Sequence, residues 1–222
     1  MVREASTEPR EIFMPAIAEE RVILNNISWE TFERLLAEAG DHRNTRFHYL
    51  EGRLELMSPL ARHEGSNRFI ESLITAIAEE LGMNLRKLGS LTLKRADRQA
   101  GGEPDSCYYI QNEPLVRDQE EIDLTLDPPP DLVLEVDITS PSDRRLPIYA
   151  SLAVPELWRF DGKTLAYFQL SNGIYTQVDY SPNFPWLPPE IVVDYLQRRL
   201  QVGEMQAIHE FKAWLRQINQ LG

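Results

Sequence analysis

The sequence predicts an α/β architecture, a mixed sheet flanked by helices, from three features. Between residues 63 and 160 the patterns run helix, strand, strand, strand, helix, strand, an order that packs helices over a sheet. The segment DLVLEVDIT, 131–139, is the strongest strand signal in the chain. The segment 155–178 reads as a meander whose turns, Asp161-Gly162 and Asn172-Gly173, are short-hairpin dipeptides.

The elements follow in order. Residues 1–20 read as a loose, acidic lead-in. SWETFERLLAEAG, 28–40, is a helix that Ser28 can cap and Gly40 can end, with Trp29, Phe32, Leu35 and Leu36 in one stripe. RFHYLEGRLELMSP, 46–59, reads as a β-hairpin turning near Glu51-Gly52. A longer helix runs from about His63 to Leu81, where Phe69, Ile70, Leu73, Ile74, Ile77 and Leu81 repeat at helical spacing. SLTLKRA, 90–96, is the next strand, and SCYYI, 106–110, another. Residues 111–130 are a polar surface loop with room for a short strand. A short helix lies within 140–154. The tail is Pro-rich from Pro182 to Pro189 and then helical, with Phe211, Trp214, Leu215, Ile218 and Leu221 forming a stripe that packs on the body or on a second subunit. The expected division is a lead-in over 1–20, a main domain over 21–181 and a C-terminal segment over 182–222.

Composition limits the function classes. The chain of 222 residues carries 42% hydrophobic and 26% charged residues, ordinary for a globular protein. No apolar run approaches the ~18 residues of a membrane span, and the N-terminus lacks the apolar segment of a signal peptide. One cysteine, Cys107, excludes an internal disulfide and points to the cytoplasm. A net charge of −12 excludes a surface that attracts nucleic acid everywhere, but leaves room for a local basic groove.

Asp105 stands between a Gly101-Gly102 turn and the SCYYI strand, where a buried acid needs a partner. Asp105, Asp131, Glu135 and Asp137 are the candidates for a hard cation such as Mg²⁺ or Mn²⁺. Alternation puts Asp131, Glu135 and Asp137 on one face, but a rise of about 3.3 Å per residue separates Asp131 from Glu135 by roughly 13 Å. Glu135 and Asp137, about 7 Å apart by the same rule, can converge on one locus. Asp105 joins them if its strand neighbours 131–139. Asp131 is expected at the solvated start of that strand. The competing reading of Asp105 and Glu135 is a structural ion pair with Arg145 or Lys94. Glu55 is expected to be exposed, since alternation sets it opposite Leu54 and Leu56.

EPD at 103–105, LEVD at 134–137, YLEGRLELMSP followed by His63-Glu64, and YASLAVPELWRFDG together resemble a bacterial restriction endonuclease family, rich in cyanobacterial members, of the PD-(D/E)XK nuclease superfamily. The resemblance runs from about Ser28 to about Val178. It implies a restriction-endonuclease-like core in which Asp105 is the acid of the first motif and Glu135 that of the second. Asp137 stands where the superfamily usually has lysine. Many relatives carry a lysine four residues before the tyrosine of YA; here that residue is Arg145. Lysine can lose its proton and help to activate water, whereas arginine effectively cannot. Arg145 can still clamp a phosphate. Pro147 belongs in the first turn of a helix, which sets Arg145 just before it. His63 matches a histidine frequent in relatives, able to bind metal, orient water or contact phosphate, or else to cap the helix.

Two functions compete. The first is an Mg²⁺-dependent endonuclease acting on DNA, with Asp105, Glu135, Asp137 and the Val136 carbonyl at the metal, and a homodimer reaching both strands through the C-terminal stripe. The second is a non-catalytic nuclease-fold protein that binds nucleic acid or regulates, favoured by the acidic charge, Arg145 and Asp137. A purely structural partner explains neither the placed carboxylates nor the motif order.

Overall fold

The computed structural model describes residues 20–40, 45–58, 61–137 and 145–219, with the side chains of residues 20, 61–63 and 219 left out of the description. Ser28 accepts a hydrogen bond from Thr31 N at 3.2 Å and starts helix α1, Trp29–Ala39. The hairpin forms as its sequence requires: β2 is Arg46–Leu50 and β3 is Arg53–Ser58, with Glu51 and Gly52 at positive φ between them. An unanticipated strand, β1 at Glu20–Leu24, pairs with β3. Helix α2, Ala61–Leu81, buries Phe69, Ile70, Leu73, Ile74 and Ile77 along one side.

The strand expected over 90–96 forms as a shorter one within those bounds, and an unanticipated strand precedes it in the other sheet. Strand β4, Arg86–Gly89, pairs with β7, Ser106–Tyr109. Strand β5, Leu93–Arg95, pairs with β6, Ala100–Gly102. A register shift between Lys87 and Gly89, and the positive φ of Gly89, turn the chain from one sheet to the other. The loop over 111–130 contains a short helix, α3 at Glu113–Val116, and no strand. The strongest predicted strand is β8, Leu132–Val136; residues 138 and 139 lie outside the described residues. Helix α4, Leu146–Ser151, has Pro147 in its first turn. The meander is β9, Glu156–Phe160, β10, Leu165–Ser171, and β11, Ile174–Val178. Helices α5, Pro189–Val202, and α6, Glu204–Asn219, follow.

Two sheets result. The first has the order β1-β3-β2-β6-β5 and is antiparallel. The second has the order β11-β10-β9-β8-β7-β4 and is mixed, with β8 and β9 parallel. Alternation along β8 divides the core. Leu132, Leu134 and Val136 pack with α2, α5 and α6, whereas Val133 packs with Cys107, Ile148 and Tyr149 on the other face. The C-terminal stripe belongs to the first of these clusters: Phe211 and Leu215 are buried, with Trp214 and Ile218 beside them. Lys212 pairs with Glu79 and Arg216 with Glu80, fixing α6 to α2. The described part of the stripe therefore packs on the body of its own chain rather than standing free for a partner. Leu221 and residues 1–19 lie outside the described residues.

Candidate active site

Odd-numbered residues of β8 face α4 and the first sheet, and this interface gathers the acids. Strands β7 and β8 are antiparallel with Ser106 opposite Leu134, so one register step further sets Asp105 across from Glu135. Asp105 Oδ2 accepts a hydrogen bond from Val136 N at 2.6 Å, and its Oδ1 is paired with Arg46 of β2. Asn67 of α2 donates to the Asp105 carbonyl at 3.2 Å and accepts from Ser106 Oγ at 3.0 Å, which fixes the backbone at the mouth of β7.

Glu135 is held from the other side. Tyr149 donates its hydroxyl to Oε1, and Arg145 Nη1 donates to Oε2 at 2.7 Å. The same Nη1 lies 3.3 Å from Asp137 Oδ1, while Arg145 Nη2 reaches Glu55 Oε1 at 3.3 Å. Glu55 also meets Arg21 and Arg53, each at 3.4 Å. His48, directly opposite Glu55 in the β2–β3 register, places Nε2 3.8 Å from Glu135 Oε1. That separation is too long for a hydrogen bond, and both of its ring nitrogens lack one although the residue is buried. Gly102 makes the crowding possible: a Cβ there would lie 3.2 Å from Ile148, 3.4 Å from Tyr149 and 3.6 Å from His48.

Burial and position set the charges. Burial, offset in part by Arg46 and reinforced by Glu135, pushes Asp105 up to about 6. Burial also opposes ionisation of Glu135, but Arg145 and the Tyr149 hydroxyl outweigh it and hold that carboxyl down to about 2. Burial, together with Arg145, holds His48 below its ordinary value and favours the neutral imidazole. Arg145, though only 2% exposed, is held charged by Glu135 and Asp137.

Among the described residues no group of three or more His, Cys, Asp or Glu side chains is arranged to hold a metal ion. Mg²⁺ requires less, since one or two carboxylates with waters and substrate phosphates suffice. Asp105 and Glu135 supply two carboxylates on adjacent strands, and the Glu135 charge adds to what burial already does to raise Asp105. Carboxylate oxygens are the donors that Mg²⁺ and Mn²⁺ take, and here a bound ion would share them with the Arg46 and Arg145 guanidiniums.

The structure brings Asp105, Glu135, Asp137 and Arg145 together, with Val136 between two of the acids. Arg145 does precede α4, as Pro147 requires, and its side chain turns into the cluster. His63 lies in the first turn of α2, and its side chain is outside the described residues. Two expectations are corrected. Asp131 is buried rather than solvated, because its carboxylate accepts from Ile110 N at 2.7 Å and Asn112 N at 2.9 Å, bracing the turn after β7. Glu55 is 1% exposed rather than solvent-facing, because the face opposite Leu54 and Leu56 is covered by the second sheet and α4. Lys94 pairs with Glu33 at 2.9 Å and takes no part in the site. Sequence reasoning missed His48 and Arg46, whose signal was their alternation with Phe47 along β2.

A crystal structure described as a putative nuclease belonging to DUF820, from Anabaena variabilis, is similar at 17% identity and a TM-score of 0.48, covering 68% of this chain and 90% of that one. No curated protein matches the chain. No helix among the described residues is long and apolar enough to cross a membrane. Residues 29–202 match the Uma2 family, described as "Putative restriction endonuclease", and the chain belongs to that family.

Proposed function

We propose that the chain is a metal-dependent endonuclease that hydrolyses phosphodiester bonds of DNA. The observation that carries this reading is the apposition of Asp105 and Glu135 on adjacent strands, buried and facing each other. Asp105 and Glu135, with Asp137 and the Val136 carbonyl beside them, would hold Mg²⁺ or Mn²⁺. Such an ion supplies Lewis acidity toward a phosphoryl oxygen and lowers the pKa of a bound water. Arg145 contributes a positive charge that persists at any working pH, suited to a phosphate oxygen rather than to accepting a proton. Tyr149 orients Glu135, and Arg46 and Val136 N orient Asp105. His63 remains the residue expected to meet phosphate or water at the start of α2. The C-terminal stripe packs within the chain, so the reading takes one catalytic centre per chain and does not require the homodimer.

A second reading, a nuclease fold that binds without cleaving, is favoured by one observation: the residue in the family's lysine position is a guanidinium bonded to three carboxylates. Calorimetry with Mg²⁺ and Mn²⁺ at low salt, paired with cleavage of supercoiled plasmid, separates the two. The first reading expects binding and nicking by the wild type, with both lost in Asp105→Ala and Glu135→Ala while circular dichroism stays native. A folded wild type that retains DNA but never cleaves it with either metal would establish the second.

A further inference from the structure

Arg145 is bonded to three acids but meets none of them with two parallel bonds. A guanidinium that serves as a structural clamp usually meets one carboxylate with two parallel bonds. Here Nη1 is shared between Glu135 Oε2 at 2.7 Å and Asp137 Oδ1 at 3.3 Å, Nη2 reaches Glu55 at 3.3 Å, and Nε is buried with no hydrogen bond. The group acts as a point charge among carboxylates, and a point charge can be replaced by an ion of the same sign. A second feature lies at the same place: His48, 1% exposed, holds two unbonded ring nitrogens with one 3.8 Å from Glu135. A ligand-capable group is thus buried beside the guanidinium without a hydrogen bond of its own.

We propose that Arg145 is a resident counter-ion occupying the place of a divalent cation between Glu135 and Asp137, so that a metal binding there competes with its guanidinium. This deepens the reading of Asp105 and Glu135 as a metal site, on which it rests, by assigning Arg145 control of its affinity. Removing the guanidinium leaves Glu135 and Asp137 buried without their shared cation, while Glu55 keeps Arg21 and Arg53, and the loss is costly unless another cation enters.

The test compares wild type, Arg145→Met and Arg145→Lys by thermal melting and calorimetry with Mn²⁺ and with EDTA. Arg145→Met should be destabilised in EDTA, recover on Mn²⁺ addition, and bind Mn²⁺ at least roughly tenfold more tightly than wild type. Arg145→Lys, which keeps a positive charge, should stay near wild type. An affinity in Arg145→Met equal to or weaker than that of wild type would overturn the proposal. So would a variant that stays unfolded at about 10 mM Mn²⁺, a concentration at which even weak binding stabilises. If the variant binds and wild type does not, the counter-ion role stands and the metal-dependent nuclease reading loses its support.

Discussion

Replacing Tyr149 by phenylalanine removes one hydroxyl from a buried carboxylate and nothing else. The hydroxyl donates to Glu135 Oε1, and both residues are buried. Its loss leaves that oxygen with His48 nearby, at 3.8 Å. A hydrogen bond to a charged group contributes about 1.5–3 kcal/mol, so Tyr149→Phe should cost about 2 kcal/mol, or roughly 4–8 °C in Tm for a domain of this size. The control is Tyr175→Phe. Its hydroxyl donates to a neutral acceptor, the Val154 carbonyl at 2.7 Å, and its loss should cost about 1 kcal/mol. Urea unfolding at pH 7, with m compared to show that the unfolded state is unchanged, gives both values. Loss of the Tyr149 bond also raises the Glu135 pKa, so acid unfolding should begin at a higher pH. If Tyr149→Phe costs no more than Tyr175→Phe, Glu135 is not an ionised acceptor and the charge assignment of the site fails.

Three more outcomes follow from the same geometry. Asp105 is raised from its ordinary value to about 6, so its contribution is full below pH ~4 and is lost as pH rises through about 6; urea unfolding should show a fall of about 3 kcal/mol from this group over that window, absent in Asp105→Asn. Gly101→Ala would set a methyl 2.7 Å from Phe32 Cζ, and displacing that ring from its stack on Tyr49 should cost about 1–3 kcal/mol in denaturant unfolding. Burial pushes Cys107 up to about 12, so a thiol reagent should label it only at the rate of unfolding, and labelling as fast as that of a free thiol would contradict its place in the core.

Periodicity was informative where one face of an element meets a single apolar layer. Helix α2 and strand β8 follow from their repeats, and the pairing of Asp105 with Glu135 follows from alternation plus the spacing of neighbouring strands. Glu55 shows the limit. Alternation correctly set it opposite Leu54 and Leu56, but a period of two names a face without saying what covers it. The cover is Arg145, 90 residues away. The burial of His48 was hidden for the same reason: alternation with Phe47 names its face, but its cover, Gly102, Ile148 and Tyr149, arrives from elsewhere. The extra strand ahead of 90–96 ends at Gly89, whose positive φ no side-chain pattern encodes. Asp131 looked like a solvated strand start because the donors that hold it, Ile110 N and Asn112 N, belong to another turn.

The 90-residue separation of Glu55 and Arg145 also sets an order of assembly. A chain emerging from the ribosome delivers His48 and Glu55 long before Glu135, Arg145 and Tyr149. Until they arrive, the face of the first sheet that carries His48 and Glu55 has neither its cover nor its countercharge from α4, and closing so long a loop is a late and entropically costly step. An N-terminal fragment ending before α4 should therefore remain open to solvent at this face, and the acidic cluster closes only once α4 has docked.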